Sequence, residues 1–599
     1  MSVKVLLVFP PHWHPLMPHL ALPALTAYLR ENGIEVTQRD LNVEVFDQVL
    51  SSRHLRTVLR QLRKKEKRIA LKGLNPALQQ SNLEAIAWAK REGQRIAADI
   101  EQAKATVRSK RFFDAAPGRD ALLTLADGLM LASVPFYPSE FHITSYQSAY
   151  PVDASQAIRA SVQDTQFNFF RNLFQVMIMP QIRREEPDVV GISLTSSEQI
   201  VAAFTLASLI KEAGLPTHVT MGGKLITGWR ELLPKAEPLW DLFDSAIAFE
   251  GEVALLRLVE ALDSAPGGGA DLSTVPNLMY RDGSGIRVNA SKEPEPAECL
   301  PIPDFDGMPF DLYLAPDLVL PVWASRGCYW GRCAFCNVGY GESKHFDELQ
   351  AERVAEEMVA LSEAYGANDF FFVDEALSPR MLKALSSQLI DMGTFFNWAT
   401  CARFEPSISA ELLGLMRRAG CRLLSFGMES GSQHVLDLMD KGIRVEAMRR
   451  ILQDSAAAGI WNHTFLFFGF PGETEEDAHE TIEFFQTNRG VIHSISSSVF
   501  LLERHARASA DPQAYDIRRI MPPGPHRDLA YYFEYEVSSG ISSQRAEEVE
   551  AAFVDSLPDK PNPQSYVHEV YQFLYARSFP DDEPLPTMVG GQDLYDLPA

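Results

Sequence analysis

Three of the six cysteines in this 599-residue chain lie within nine residues, at Cys328, Cys333 and Cys336. Four residues separate the first two, and two residues separate the last two. Closely spaced thiolates are typical ligands of zinc and of iron–sulfur clusters. A structural zinc site takes four ligands, so its fourth would be His345 or a distant cysteine. A four-iron cluster held by three thiolates would instead keep one iron open, where a small molecule can bind and be activated.

The chain around these cysteines alternates between strand and helix patterns six times, from about residue 318 to residue 500. Six such units predict a partial β/α barrel, in which chemistry occurs at the carboxyl ends of the strands. The cysteine loop directly follows the first strand and is therefore expected at that rim. The predicted strands are Val319–Ala324, Phe370–Val373, Phe396–Arg403, Arg422–Glu429, Trp461–Gly469 and Ile492–Phe500.

The N-terminal part predicts a second α/β unit. Its buried strand patterns are "VKVLLVF", "GIEVTQRD", "DVVGISLTSS", "PTHVTMGGK" and "FDSAIAFEGE", with helical patterns between them. This alternation predicts a parallel sheet with helices on both faces. Ligands of such sheets bind at the carboxyl ends of the strands, where glycines let the backbone approach closely.

The net charge, the apolar runs and the number of cysteines limit the classes of protein to which this chain can belong. The formal charge is 55 − 79 = −24, which disfavours a nucleic-acid partner. No apolar run is long enough to predict a membrane span, and the first residues lack a signal-peptide layout. Six scattered cysteines form no disulfide framework, so we expect a reducing cytoplasm. The isolated Cys299, Cys401 and Cys421 are expected to be buried as small apolar side chains.

These patterns divide the chain into four parts. Residues 1–264 form a Rossmann-like domain with a mostly helical insertion at about residues 45–178. Residues 265–312 form a hairpin and a proline-rich linker. Residues 313–505 form the partial barrel, and residues 506–599 form a smaller C-terminal unit.

The chain resembles the radical S-adenosylmethionine (radical SAM) enzymes that carry a cobalamin-binding domain. The resemblance covers about residues 1–500 and begins with the cysteine loop after the first barrel strand. The stretches "FFFVDEAL", "CARFEP", "SFGMESGS" and "GFPGET" resemble the motifs of the second to fifth strands, in the right order. The cysteine spacing departs from the family's usual pattern, which has three residues and then two.

The resemblance implies a [4Fe–4S] cluster on the three cysteines, together with S-adenosylmethionine and cobalamin as cofactors. For Arg403 and Glu429 the alternative is an internal ion pair, and for Asp374 and Glu375 it is a helix cap and a first-turn acid. The implied S-adenosylmethionine-binding positions are Tyr329, Phe335, Asp374, Glu375, Arg403, Gly427, Glu429 and Ser430.

The implied cobalamin-binding positions lie at the strand ends of the N-terminal sheet, where ordinary loop and capping roles are the alternative. No Asp-x-His-x-x-Gly motif is present, so we expect no protein histidine on cobalt. His12 and His14 have the wrong spacing for that motif and are expected on a loop surface. The cobalamin-binding positions are Ser193, Thr195, Ser196, Gly222, Gly223, Lys224, Glu250, Gly251 and Glu252.

The function that the resemblance implies is methylation of an unactivated carbon in a peptide or natural-product intermediate. Methyl would pass through methylcobalamin to a substrate radical made by a 5′-deoxyadenosyl radical, while the cofactors carry the chemistry and the protein positions them. A flavodoxin- or ferredoxin-type reductant is the implied protein partner. Rearrangement or cyclisation without methyl transfer is the alternative, and a non-catalytic iron–sulfur redox protein is a more distant one.

Overall fold

The computed structural model describes residues 3–70, 75–265, 269–292, 294–338, 346–557, 560, 562–580 and 583–586, with the backbone alone for 65–70. Its core contains two mainly parallel sheets, one from each half of the chain. The α/β class predicted from the sequence is confirmed. Within the described residues, no helix has the length and apolar character needed to cross a bilayer.

The N-terminal sheet has seven strands in the order β2-β1-β5-β6-β7-β8-β9. The first five are parallel, and β8 and β9 add an antiparallel hairpin, so the sheet is mixed. The hairpin was predicted as part of the linker, but it extends the sheet because β8 pairs with β7. The elements are β1 Lys4–Phe9, α1 Ala21–Glu31, β2 Glu35–Asp40, β5 Val189–Ser193, α9 Ile200–Glu212, β6 His218–Gly222, α10 Lys224–Gly228, β7 Ser245–Ile247, α11 Glu252–Asp263, β8 Leu278–Asp282 and β9 Gly285–Val288.

A helical insertion separates β2 from β5. It packs its apolar stripes on one another and on the N-terminal sheet, because its apolar residues recur at helical spacing. Its elements are α2 Leu41–Val49, α3 Ser52–Ala70, α4 Pro76–Val107, α5 Ala115–Ser133, β3 Glu140–Phe141, β4 Tyr146–Gln147, α6 Ser155–Gln163, α7 Arg171–Met177 and α8 Met179–Glu185.

The second sheet has six parallel strands in chain order and is an open sheet among the described residues. Each strand lies within two residues of its predicted ends. The elements are β10 Val319–Val322, β11 Ser325–Arg326, β12 Asp347–Glu348, α12 Ala351–Tyr365, β13 Asp369–Phe372, α13 Pro379–Asp391, β14 Asn397–Ala402, α14 Ala410–Arg418, β15 Cys421–Glu429, α15 Gln433–Leu438, α16 Val445–Ala457, β16 Trp461–Phe468, α17 Glu475–Asn488 and β17 Ser494–Val499.

The C-terminal elements close two sides of this sheet. A small antiparallel sheet in the order β18-β20-β19 follows β17. The last helix packs against β14, β15 and β16 and buries Tyr571 and Phe573. The elements are β18 Leu502–Glu503, α18 Arg507–Ala510, β19 Ile517–Met521, β20 Tyr532–Val537, α19 Ser543–Asp555 and α20 Glu569–Arg577.

The isolated cysteines only partly follow their prediction. Cys421 is buried in β15, and Cys401 is half-buried in β14. Cys299 is exposed, so its predicted burial is wrong. It lies in the proline-rich connection between the two sheets, where few residues are available to cover it.

Candidate functional site

The cysteine loop leaves the carboxyl end of the second sheet just after β11. Cys333 is buried, and Cys328 and Cys336 are half-buried. Backbone hydrogen bonds fix the middle of the loop, because the Ala334 amide donates to the Met439 carbonyl at 2.8 Å and its carbonyl accepts from the Ala508 amide at 2.9 Å. The loop is therefore held between the segment after β15 and the C-terminal unit.

Two cationic side chains act on the Cys333 thiol, whereas the charged side chains that act on Cys336 are the acids Glu375 and Glu503. Arg403 Nη1 lies 3.9 Å from Cys333 Sγ. Burial raises the pKa of Cys333, while the charges of Lys441 and Arg403 oppose that rise. Burial also raises the pKa of Cys336 to about 12, although its sulfur accepts a hydrogen bond from the Val338 amide. Cationic neighbours stabilise a thiolate, so Arg403 and Lys441 favour the thiolate form of Cys333.

The donor set fits an iron–sulfur cluster better than a single metal ion. Among the described residues, no three His, Cys, Asp or Glu side chains converge as a mononuclear site requires. A cluster gives each thiolate its own iron and does not need such convergence. His345, the alternative zinc ligand, lies outside the described residues.

Arg403 and Glu429 do not pair with each other. Arg403 is buried at the end of β14, and its Nε donates to Glu405 Oε1 at 3.0 Å. Its guanidinium stacks 4.5 Å from the centre of the Trp330 ring. Glu429 instead accepts from Lys441 Nζ at 2.6 Å. Each side chain therefore forms an internal ion pair, as the alternative expects, but with a different partner from the other.

A backbone irregularity aims Glu429 at Lys441. The register of β15 against β16 shifts between Gly427 and Glu429, and Glu429 has a φ of 63°. A positive φ is costly for a side chain other than glycine and is found at sites where the surroundings enforce it. The bulge thus presents the Glu429–Lys441 pair at the rim beside the cysteine loop.

Position 427 has little room for a side chain, because the Glu429–Lys441 ion pair lies against it. A Cβ at Gly427 would lie 2.6 Å from Glu429 Oε1 and 2.8 Å from Lys441 Nζ. Both atoms are the ends of long side chains that can shift, so we expect Gly427→Ala to displace the buried ion pair and to cost only about 1 kcal/mol of unfolding free energy. Denaturant unfolding measures that cost, and equilibrium dialysis measures the accompanying loss of S-adenosylmethionine affinity.

Gly414→Ala is the matched control for Gly427→Ala. It lies within α14, where a Cβ would meet only Arg418 Nη1 at 3.6 Å. Alanine has the higher helix propensity, so this variant should be neutral or more stable. Equal losses in the two variants would contradict the role given to Gly427.

Asp374 is neither a helix cap nor a first-turn acid. It accepts from the Ala324 amide at 3.0 and 3.1 Å and from the Ser325 hydroxyl at 2.7 Å, while Ser378 caps α13. Burial raises the pKa of Asp374 to about 7, although these hydrogen bonds oppose the rise. Asp374 thus fixes the backbone that enters the cysteine loop. Glu375 is exposed beside it.

The remaining predicted positions surround the same rim. Tyr329 donates its hydroxyl to Glu405 at 3.3 Å. The Phe335 ring lies 5.5 Å from Lys441 Nζ. Ser430 is buried, and its hydroxyl lies 2.9 Å from that of Thr481, so its side chain supports the strand end from behind.

A cavity of about 340 Å³ lies at the carboxyl edge of the N-terminal sheet. Its inner part is an apolar crevice beneath α1 and α11. Its mouth carries the glycines and acids predicted to line it, and the facing wall comes from the segments that follow β10 and β13 of the second sheet. The inner part is lined by Leu7, Leu22, Leu25, Met221 and Leu255; the mouth by Ser193, Gly222, Gly223, Glu250, Gly251 and Glu252; the facing wall by Trp323, Ser325, Arg326 and Val373.

Three of the predicted positions do not line this cavity. Thr195 and Ser196 donate their backbone amides to the Gln199 side chain, and Ser196 caps the turn before α9. Lys224 begins α10, directly after Gly223. Gly223 has a φ of 106°, and a Cβ there would lie 2.3 Å from the Leu194 carbonyl oxygen. Thr195 and Ser196 thus have the loop and capping roles that were the alternative to cobalamin binding.

The chemistry of the cavity suits a corrinoid. An apolar crevice can take an aromatic base, while backbone groups and acids at its mouth can hydrogen-bond the amides around a corrin ring. Wrapping such a ring requires close backbone approach, which Gly222 and Gly251 allow because neither carries a side chain.

The N-terminal histidines have protein partners. His12 is fully buried, so its predicted place on a loop surface is wrong, and its Nε2 lies 2.9 Å from the His142 carbonyl. The His14 ring lies 4.1 Å from the His568 ring. The absence of a histidine on cobalt stays a prediction.

Sequence reasoning missed Lys441, Glu405 and Arg326. Lys441 follows the fourth barrel strand by twelve residues, and nothing in its local pattern pairs it with Glu429. Glu405 lies within the quoted "CARFEP" stretch, two residues beyond Arg403. Arg326 precedes the first cysteine by two residues, and its position in that motif was the available signal.

Comparison with known proteins finds a family match within the second half of the chain. Residues 324–485 match the radical SAM superfamily. An uncharacterized methyltransferase of Pyrococcus horikoshii is 29% identical over 310 residues, which are 51% of this chain. The alignment spans 65% of that relative, just under two thirds of its length.

Two solved structures have the same fold over nearly the whole chain. The cobalamin-dependent S-adenosylmethionine radical enzyme OxsB, with aqua-cobalamin and S-adenosylmethionine bound, matches with a TM-score of 0.58 and 15% identity. That match covers 93% of this chain and 67% of OxsB. The methyltransferase TsrM of Kitasatospora setae, with cobalamin and a [4Fe–4S] cluster bound, matches with a TM-score of 0.54 and 15% identity, covering 93% and 92%.

Proposed function

We propose that this chain, which carries a radical SAM domain, is a cobalamin-dependent radical SAM methyltransferase acting on an unactivated carbon. One observation carries the proposal. The cavity wall formed by Trp323, Ser325 and Arg326 runs directly into the cysteine loop at Cys328. A group bound in the cavity would therefore lie next to a group bound by the thiols, as a reaction that uses both requires.

The chain's residues have separate roles in this proposal. Cys328, Cys333 and Cys336 would hold a [4Fe–4S] cluster, and the N-terminal cavity would hold cobalamin. These two groups supply electron transfer and methyl carriage when bound. The rim formed by Arg403, Glu429 and Lys441 offers charged groups of both signs, which suits a ligand with both an amine and a carboxylate.

The fold of TsrM and the name of the Pyrococcus relative favour methyl transfer. The structural similarity to OxsB, a cobalamin-dependent S-adenosylmethionine radical enzyme, keeps a reaction without methyl transfer open. The substrate class, a peptide or natural-product intermediate, and the flavodoxin- or ferredoxin-type reductant remain predictions, as do the domain boundaries.

The test is anaerobic turnover of the protein reconstituted with iron, sulfide and cobalamin. S-adenosylmethionine labelled with a trideuterated methyl group is supplied with a chemical reductant and candidate substrates. We expect 5′-deoxyadenosine, S-adenosylhomocysteine and a product that carries the labelled methyl group, all quantified by mass spectrometry.

The products separate the competing functions. A changed substrate and 5′-deoxyadenosine without the label would indicate rearrangement or cyclisation. Labelled methyl transfer without 5′-deoxyadenosine would indicate a polar route. Loss of both, in protein that contains cluster and cobalamin, would indicate a redox protein and would overturn the proposal.

A further inference from the structure

Arg326 occupies the boundary between the two halves of the molecule. It lies in β11, which follows the first strand of the second sheet and pairs with β12 outside that sheet, but its Nη2 donates to Glu252 Oε1 of α11 at 2.5 Å. Its guanidinium stacks on Trp323, 5.1 Å from the ring centre. The ion pair and the stacking together fix the orientation of the guanidinium.

One side of this guanidinium has no partner. Arg326 Nη1 is buried and makes no hydrogen bond to any described residue. A buried donor without a hydrogen-bond acceptor is destabilising, and more so when it is charged. The side chain lines the cavity, where a bound group could satisfy that donor.

The shape of the cavity indicates what such a group would be. The apolar crevice between α1, α11 and the sheet suits an uncharged aromatic ring, and Arg326 lines the wall that faces this crevice. Cobalamin carries its aromatic base on a tail that includes a ribose phosphodiester. With the base in the crevice, that phosphodiester would lie near the facing wall, where the Arg326 guanidinium can donate to phosphate oxygens.

We propose that Arg326 binds the phosphodiester of the cobalamin nucleotide tail and that Glu252 holds its guanidinium in place. The inference rests on the proposed function and extends it. It makes Arg326 a residue that distinguishes complete cobalamin from corrinoids without a tail. It also gives the Arg326–Glu252 ion pair a purpose beyond joining the two halves.

Equilibrium dialysis of the cluster-loaded protein tests the inference with two probes, hydroxocobalamin and cobinamide. Cobinamide keeps the corrin ring but lacks the phosphate, the ribose and the base. We expect Arg326→Gln to raise the Kd of hydroxocobalamin about 10- to 100-fold, since a hydrogen bond to a charged group contributes about 1.5–3 kcal/mol. The Kd of cobinamide should stay within about threefold of wild type.

Arg257→Gln is the matched control. It is another arginine of the same region, on the exposed side of α11, paired there with Glu260. It should bind both corrinoids as wild type does. Arg326→Lys keeps the positive charge but loses the planar guanidinium, so its Kd for hydroxocobalamin should lie between those of wild type and Arg326→Gln. If Arg326→Gln fails to retain its iron, Arg326→Lys is used in its place.

The outcomes are distinct. Equal weakening of both probes in the Arg326 variant would place the arginine on a corrin amide and overturn the phosphate assignment. No change for either probe would overturn the inference while leaving the proposed function intact. Failure of the wild type to bind either probe would overturn the cobalamin assignment itself.

Discussion

Replacement of Cys328, Cys333 and Cys336 together by alanine is expected to abolish iron binding and all formation of 5′-deoxyadenosine. The thiols are the cluster's only protein ligands in the proposed site, so no weaker form of the cluster should persist. Iron should fall from about four atoms per chain to near zero, and the visible absorption band of the cluster should disappear. Iron analysis and absorption spectra of the reconstituted protein measure both.

Cys299→Ala is the control for this change. Cys299 is exposed and far along the chain from the loop, so its loss should leave the iron content unchanged. Retention of iron by the triple variant, or purification of the wild type with zinc in its place, would contradict the cluster assignment. Normal cobalamin binding by the triple variant would show that the first half of the molecule still folds.

Lys441→Met is expected to have the second largest effect, because it leaves the Glu429 carboxylate buried without its partner. The side chains of Lys441 and Glu429 are only 7% and 11% exposed. Removing one partner of a buried ion pair costs about 3–5 kcal/mol, since the remaining charge has lost both water and its counter-charge. Denaturant unfolding measures this loss, and dialysis should show that S-adenosylmethionine affinity falls with it.

The double variant Lys441→Met with Glu429→Gln separates stability from binding. It removes both charges, so most of the lost stability should return, because an apolar or neutral pair can replace a buried ion pair. S-adenosylmethionine affinity should not return if the charges contact the ligand. Arg444→Met is the surface control, since Arg444 and Asp437 are 66% and 61% exposed and their pairing should contribute less than about 1 kcal/mol.

Full recovery of S-adenosylmethionine affinity in the double variant would contradict the binding role of the pair. A cost of Lys441→Met no larger than that of Arg444→Met would contradict the burial argument. Both outcomes are independent of cobalamin and of the substrate.

The strands were predictable because their signal is local. Each barrel strand is a short apolar run between segments with helical periodicity, and this pattern can be recognised without knowing which distant residues the strand contacts. The hairpin of β8 and β9 was predicted for the same reason, from its turn residues. The addition of this hairpin to the N-terminal sheet was not predicted, because β8 can pair with β7 only if the chain after α11 comes back to the edge of the sheet.

The sequence by itself determined that three cysteines share one loop after the first barrel strand, and with the family resemblance it predicted them as cluster ligands. It also determined that two α/β units each present strand ends to a ligand. Only the tertiary structure decided which charges meet there. Glu429 pairs with Lys441 rather than Arg403, and Arg326 crosses to Glu252 of the other unit. These partners lie 12 and 74 residues apart, and a side chain's partner depends on three-dimensional distance, which local pattern does not encode.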